Sequence, residues 1–186
     1  VGATIGFFPA IFVGRMDPRI GLIGGFAVQT LSGVWLMAID LNVDMGTLML
    51  NSFLQGIAVG VIWVPLTLVT FSNVSAANLA EGTAVYHLLR NIGSSFFISI
   101  CVAEIVRATS ANYGRMVELV NPFNRALALP WVTGGWDFET MLGLARLSKE
   151  IGRQSAMIGY INAFGLYTAC SAMAITLILL IGRRAR

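Results

Sequence analysis

Long blocks without charge are the feature of this sequence that most restricts its fold. Residues 20–39, 46–72 and 154–182 contain no Asp, Glu, Lys or Arg. A helix needs about 20 apolar residues to cross about 30 Å of hydrocarbon, because each residue advances it by about 1.5 Å. Each block reaches that length. The sequence therefore predicts an all-α, polytopic helical membrane protein.

Composition supports the same class and excludes several functions. Of the 186 residues, 56% are hydrophobic and 11% are charged, whereas a typical soluble domain is about 25% charged. The basic residues are scattered rather than grouped with aromatics, so we do not expect nucleic-acid binding. Cys101 and Cys170 fall within predicted spans, where we interpret them as small apolar residues rather than as disulfide partners or metal ligands. The sequence has no metal-ligand cluster, nucleotide-binding loop or nucleophile triad, so we expect no metal, no cofactor and no enzyme activity.

The blocks predict one partial and four complete membrane spans. The complete spans are residues 20–39, 46–72, 82–107 and 156–182. Residues 1–13 have about two-thirds of the length of a span and do not begin with methionine, so we expect a fragment that starts within a helix. Residues 108–155 predict a long loop between the last two spans. Within it, residues 137–151 have the pattern of an amphipathic helix at the membrane surface, although a locally packed helical loop fits equally well.

The positions of Lys and Arg predict the orientation, because these residues concentrate at the cytoplasmic ends of spans. The turn with Arg15 and Arg19 and the C-terminal tail 183–186 lie on the same side by span counting, and we predict that this side is cytoplasmic. The long loop 108–155 is then extracytoplasmic. It carries five basic residues, which argue for the opposite side, but long loops cross the membrane with less regard for charge.

Three residues of the His, Asp, Glu, Lys and Arg types lie within span 82–107 before its last residue, Arg107. A charge at the membrane centre costs at least about 2.5–3.5 kcal/mol, so each needs a partner, a water-filled cavity or an interfacial position. Arg90 is about 12 Å into the span. It is expected to extend to the cytoplasmic surface, to contact another part of a larger protein, or to handle substrate or protons. His87 titrates near neutral pH, which fits an interfacial residue or a proton relay. Glu104 fits either an ion pair with Arg107 or an outer gate.

Small residues and one proline predict how the helices pack. Gly56 and Gly60 are one turn apart, so another backbone can approach that face. Gly93 and the serines after it are expected to form a close-packing surface. Pro65 interrupts the hydrogen-bond ladder of span 46–72 and predicts a kink or a loosened turn. Such a kink either borders a cavity or only shapes the packing.

Three motifs follow one another along the chain. Residues 55–66 read QGIAVGVIWVPL, residues 90–95 read RNIGSS and residues 120–124 read VNPFN. In this order and spacing they resemble the late spans of the EmrB/QacA branch of the major facilitator superfamily, the fourteen-span drug:proton antiporters. The chain is most similar to the EmrB-like members. The resemblance covers essentially the whole sequence, from part of the tenth span to the fourteenth.

The resemblance implies the C-terminal part of a major facilitator fold in the bacterial inner membrane, with a cytoplasmic C-terminus. The implied function is proton-coupled efflux of amphipathic compounds by alternating access, with the proton gradient as the driving force. The implied partners are the N-terminal half of the same transporter, amphipathic small molecules, the lipid bilayer and a periplasmic adaptor protein. The alternative is a non-transporting membrane scaffold or sensor module that reuses the fold.

The resemblance also implies a set of cavity residues. The helix that matches span 46–72 lines the central cavity in the family, which makes Asn51, Gln55, Trp63 and Thr67 candidates for substrate contact. Hydrogen bonding between helices is the competing interpretation for the two amides. The chain departs from the family near Asn162, where EmrB-like proteins often carry an acidic residue and this sequence has none.

Overall fold

The computed structural model describes residues 17–121, 123, 124 and 140–184. In this part the chain forms four long α-helices: α1 (Pro18–Met37), α2 (Met45–Phe71), α3 (Leu79–Glu118) and α4 (Met141–Arg184). A short 3₁₀ helix, Ala76–Asn78, precedes α3. Each long helix is apolar and long enough to cross a membrane. The predicted class of a polytopic helical membrane protein is confirmed. The partial span predicted for residues 1–13 lies outside the described residues.

Local signals set the starts of the first two helices. Pro18 stands in the first turn of α1, where its fixed φ suits a helix and its missing N–H needs no partner. Asp44 caps α2, since its Oδ2 accepts a hydrogen bond of 2.9 Å from the backbone N–H of Gly46. Such a cap satisfies one of the free N–H groups at a helix start.

The last two helices are longer than the sequence predicts. Helix α3 has 40 residues and α4 has 44, so they extend roughly 60 and 66 Å at about 1.5 Å per residue. This is about twice the thickness of the hydrocarbon core. The prediction of a loop beginning at residue 108 is wrong, because α3 continues to Glu118. The described part of the predicted amphipathic helix 137–151 is the first part of α4 and not a separate element. The hydropathy of a sequence indicates which segment can lie in lipid. It does not show where the helix ends, because a helix can continue beyond its apolar segment.

The chain divides into two compact units. The first unit comprises Val1–Ser99 and Phe164–Arg186, and the second comprises Ile100–Ala163. The first unit therefore holds α1, α2, the first part of α3 and the last part of α4. Among the described residues, the second unit contains a pair of helical segments from α3 and α4.

Glycines allow close packing in the first unit. A Cβ placed on Gly25 of α1 would lie 3.3 Å from the carbonyl oxygen of Ala58 and would meet the side chain of Ile62 on α2. Ala58 is 1% exposed, and Gly60 on the same helix is buried while Gly56 is half-buried. The backbones of α1 and α2 therefore approach closely, as small residues permit.

Gly93 does not follow this pattern. It is exposed, and within the described part of the chain a Cβ added there would meet no atom within 4 Å. The close packing expected at Gly93 therefore stays a prediction. The first part of α3 exposes most of its circumference within the described residues, including Leu88 at 60% and Leu89 at 64%.

A stripe of small residues packs the second unit. Ser155, Gly159 and Ala163 follow one another at intervals of four on α4, and all three are buried. A Cβ on Gly159 would lie 2.8 Å from the carbonyl oxygen of Ile105 and 2.7 Å from Oγ1 of Thr109 on α3. This is the small-residue spacing that lets two helices approach closely. Sequence reasoning missed it, although the interval of four is visible in the sequence.

Candidate functional site

Arg90 and Trp63 form a contact between α2 and α3. The guanidinium carbon of Arg90 lies 4.3 Å from the centroid of the Trp63 ring. At this distance a cation is attracted by the face of an aromatic ring. The contact joins one predicted cavity residue to one predicted gating residue, which the sequence placed in separate groups. The connection 72–78 between the helices is short. Residues of α2 and α3 that are a similar number of residues away from it, such as Trp63 and Arg90, can therefore meet, and this signal was available in the sequence.

Arg90 makes no ion pair with any carboxylate in the described ranges. Glu81 and Glu104 of its own helix are nine and fourteen residues away, which is roughly 13 and 21 Å along the axis. Residues 20–37 and 45–71 contain no Asp or Glu. Arg90 is exposed, and its guanidinium carbon lies over the Trp63 ring. The arrangement is a positive charge next to an aromatic ring.

Three further rings, those of Phe71, Tyr86 and His87, lie near the connection between α2 and α3. The rings of Phe71 and Tyr86 have centroids 5.5 Å apart and an angle of 68° between their planes. The Tyr86 and His87 rings have the same separation and angle. Edge-to-face pairs of this kind are favourable beyond the area that they bury. His87 is exposed, and its role as a proton relay stays a prediction.

Asn51 connects α1 and α2 through a buried polar network. Its Oδ1 accepts a hydrogen bond of 2.9 Å from the hydroxyl of Ser32, and its Nδ2 donates to the carbonyl oxygen of Ser32 at 3.1 Å. Nε2 of Gln55 donates to the same Oδ1 at 3.1 Å. Asn51 and Ser32 are each 3% exposed. In the described residues Asn51 bonds to the neighbouring helix α1 and Gln55 bonds to Asn51. This agrees with the interpretation of the two amides as hydrogen-bonding groups between helices. Ser32 carried no signal in the sequence.

Thr67 bonds within its own helix. Its hydroxyl donates to the carbonyl oxygens of Trp63, at 3.1 Å, and of Val64, at 2.8 Å. Helix α2 continues through the buried Pro65. Asn51 is twelve residues from Trp63, or roughly 18 Å along the helix. The four predicted cavity residues therefore lie at two separate places, one around Asn51 and the other around Trp63.

Glu104 lies in the second unit and has partners on both of its helices. Nε of Arg107 donates to Glu104 Oε2 at 2.8 Å, and Nη2 of Arg107 donates to Oε1 at 2.6 Å. This two-pronged geometry is the strong form of an ion pair. Nδ2 of Asn162 on α4 also donates to Oε1, at 3.5 Å. The pair expected at this spacing is present, and Asn162 of α4 is an additional partner.

The asparagines of the VNPFN motif turn the chain at the end of α3. Oδ1 of Asn121 accepts from the backbone N–H of Phe123 at 3.1 Å. Nδ2 of Asn124 donates to the carbonyl oxygen of Leu119 at 2.7 Å. The second bond satisfies a carbonyl that the helix end leaves free. Both asparagines thus have a structural role, and Phe123 between them is 93% exposed.

Comparison with curated proteins agrees with these motifs. The chain is 26% identical over 130 residues to the multidrug export protein EmrB of Escherichia coli K12, an alignment that covers 66% of this chain and 25% of that protein. It is 24% identical over 130 residues to EmrB of Haemophilus influenzae, with 66% and 26% covered. This is an EmrB-like sequence. It is also 21% identical over 132 residues to the fatty acid resistance protein FarB of Neisseria gonorrhoeae, with 67% and 26% covered. No family model and no solved structure matches it.

The EmrB-like chain spans about a quarter of the length of the curated relatives that it matches. The four long apolar helices in the described part of the chain agree with a multi-pass membrane protein. The names of the relatives describe export and resistance and not catalysis.

Proposed function

We propose that this chain forms the C-terminal part of a proton-coupled efflux permease, which exports amphipathic compounds by alternating access across the bacterial inner membrane. The observation that carries the proposal is the similarity to EmrB and FarB along two-thirds of the chain, together with four long apolar helices. EmrB is named for the export of several drugs and FarB for resistance to fatty acids. Molecules of both kinds combine a polar group with an apolar body.

The packing of α1 and α2 allows the two helices to move together as one rigid body. The close approach at Gly25 and the buried bonds between Asn51 and Ser32 connect the two helices at separate heights. Alternating access is largely the movement of one such body against another around a central site. The first part of α3 exposes large apolar side chains, among them Leu88 and Leu89. We assign that surface to contact with the N-terminal half of the transporter and with lipid.

The proton gradient supplies the energy in this proposal. In this proposal the acids that couple protons belong to the N-terminal half, as the family resemblance implies, and Glu104 stays a candidate for an outer gate. Transport beyond the inner membrane would involve a periplasmic adaptor. The names of the relatives favour a transporter over the alternative of a scaffold or sensor module.

The proposal is tested by resistance and efflux. The natural chain that carries this sequence is expressed in bacteria without their own multidrug pumps, and growth is measured against several amphipathic compounds. We expect increased resistance and active efflux that stops when a protonophore collapses the gradient. Arg90→Ala should reduce efflux while its abundance in the membrane stays near that of the native protein. Normal abundance with no resistance to any compound would contradict the proposal and favour the scaffold or sensor.

A further inference from the structure

We infer that Gln29 of α1 and Tyr167 of α4 bind a water molecule between them, inside the apolar part of the first unit. The inference goes beyond the proposed function and does not rest on it. It follows from three observations: two buried polar atoms without described partners, neighbouring hydroxyls whose protons are already donated, and a close contact that sets the distance between the two helices.

The two polar atoms are Oε1 of Gln29 and the hydroxyl oxygen of Tyr167. Both atoms are buried, and neither has a hydrogen-bond partner among the described residues. The side chain of Gln29 lies beside the Tyr167 hydroxyl, so an acceptor and a donor from two helices face the same place. A buried polar group without a partner is costly to the folded state. The two groups therefore need a partner that fits between them.

This place is far from the ends of α1. Gln29 is eleven residues after the first residue of α1 and eight before the last, or roughly 16 and 12 Å along the axis. Tyr167 lies within residues 154–182, which contain no Asp, Glu, Lys or Arg. The hydrocarbon of a membrane holds no water that could satisfy polar groups at this depth. A water molecule there is held by the side chains around it.

Neighbouring hydroxyls on both helices direct their protons elsewhere. The hydroxyl of Ser32, three residues after Gln29, donates to Oδ1 of Asn51 on α2 at 2.9 Å. The hydroxyl of Ser171, one turn after Tyr167, donates to the carbonyl oxygen of Tyr167 at 3.0 Å. These two protons are therefore not available to Oε1 of Gln29, and a water molecule can supply one.

A close contact at Gly33 sets the distance between α1 and α4. Gly33 is buried and lies one turn after Gln29, on the same face of α1. A Cβ placed there would lie 3.1 Å from Cδ1 of Tyr167 and would meet the side chain of Thr168. The helices therefore cannot approach further at this height to form a direct bond. A water molecule can bridge the two groups, since it donates to the amide oxygen while it accepts from the Tyr167 hydroxyl.

The first test is an experimental structure of the natural chain that carries this sequence, at a resolution that shows ordered water. We expect a water molecule about 2.5–3.0 Å from both Oε1 of Gln29 and the Tyr167 hydroxyl oxygen. A direct bond between the two side chains would overturn the inference. A third side chain bonded to both atoms, or the absence of density between them, would overturn it as well.

The second test is a double-mutant cycle on the natural chain in bicelles, with unfolding measured by steric trapping. Gln29→Met removes the amide oxygen at similar length, and Tyr167→Phe removes only the hydroxyl. Each variant should lower the folding equilibrium constant by about threefold to twentyfold, the range for one hydrogen bond between membrane helices. The double variant should lose no more than one single variant, because the bridge is broken once and neither polar atom is then left without a partner.

Tyr160→Phe is the matched control on α4. Tyr160 is 50% exposed, so loss of its hydroxyl should leave the folding equilibrium constant unchanged. Losses that multiply in the double variant, or a Tyr160→Phe variant as unstable as Tyr167→Phe, would overturn the bridge. If a single variant does not fold, the structure of the unsubstituted chain still decides the question.

Discussion

Replacing Asn51 with alanine should weaken the pairing of α1 and α2 by roughly 1–3 kcal/mol. The substitution removes two bonds between the helices, the one from the Ser32 hydroxyl and the one to the Ser32 carbonyl oxygen. Interhelical hydrogen bonds in membrane proteins average about 0.6 kcal/mol each and reach about 1.7 kcal/mol. Two such bonds give about 1.2 kcal/mol at the average and about 3.4 kcal/mol at the upper limit. The free energy of unfolding in bicelles, measured by steric trapping, provides the comparison.

A double-mutant cycle separates the hydrogen bond from the change in packing. Ser32→Ala removes only the hydroxyl bond, so the coupling energy between Ser32→Ala and Asn51→Ala should be about 0.6–1.7 kcal/mol. Thr67→Val is the matched control, because the Thr67 hydroxyl bonds only within α2, and it should cost less than about 0.5 kcal/mol. A coupling energy near zero, or a Thr67→Val variant as unstable as Asn51→Ala, would refute the assignment of a polar connection between the helices.

Three further predictions concern the second unit and the end of α3. Gly159→Ala should destabilise the second unit by about 1–3 kcal/mol through overpacking. Gly114→Ala should instead stabilise the helix by about 0.5–1 kcal/mol, because no described atom lies within 4 Å of the added Cβ. Similar unfolding free energies for the two variants would contradict this prediction. A cysteine at Phe123, which is 93% exposed, should react from outside intact cells with a thiol reagent that cannot cross membranes, and labelling only after permeabilisation would reverse the predicted orientation. Hydrogen bonds, led by that from Arg153, hold the pKa of the Glu150 carboxyl below its usual range, so their stabilisation is present at neutral pH and is lost as the pH falls through this lowered pKa. Glu150→Gln should remove that pH dependence at a cost below about 1 kcal/mol, as unfolding at neutral and acidic pH would show.

The sites show how far residue types and spacings can be interpreted without a structure. The pair of Glu104 and Arg107 followed from their spacing of three residues on one helix, since such neighbours meet in any α-helix. The partners contributed by other helices, Ser32 for Asn51 and Asn162 for Glu104, did not follow. Each pairing depends on which faces of two helices meet, and a single sequence gives little information on this. The predicted packing of Gly93 stays a prediction, because no described residue lies against it.

The sequence by itself determined that the chain is helical and apolar enough to cross a membrane several times. Insertion in lipid depends on the composition of about 20 consecutive residues, which is local information. The predicted spans 20–39 and 46–72 accordingly agree with α1 and α2 to within two residues at each end. Tertiary structure decided how far α3 and α4 continue beyond their apolar segments, and it placed Arg90 on Trp63. Both outcomes depend on contacts between residues far apart in the chain, such as that of Gly159 with Ile105, and the energy of those contacts exists only when the helices are packed.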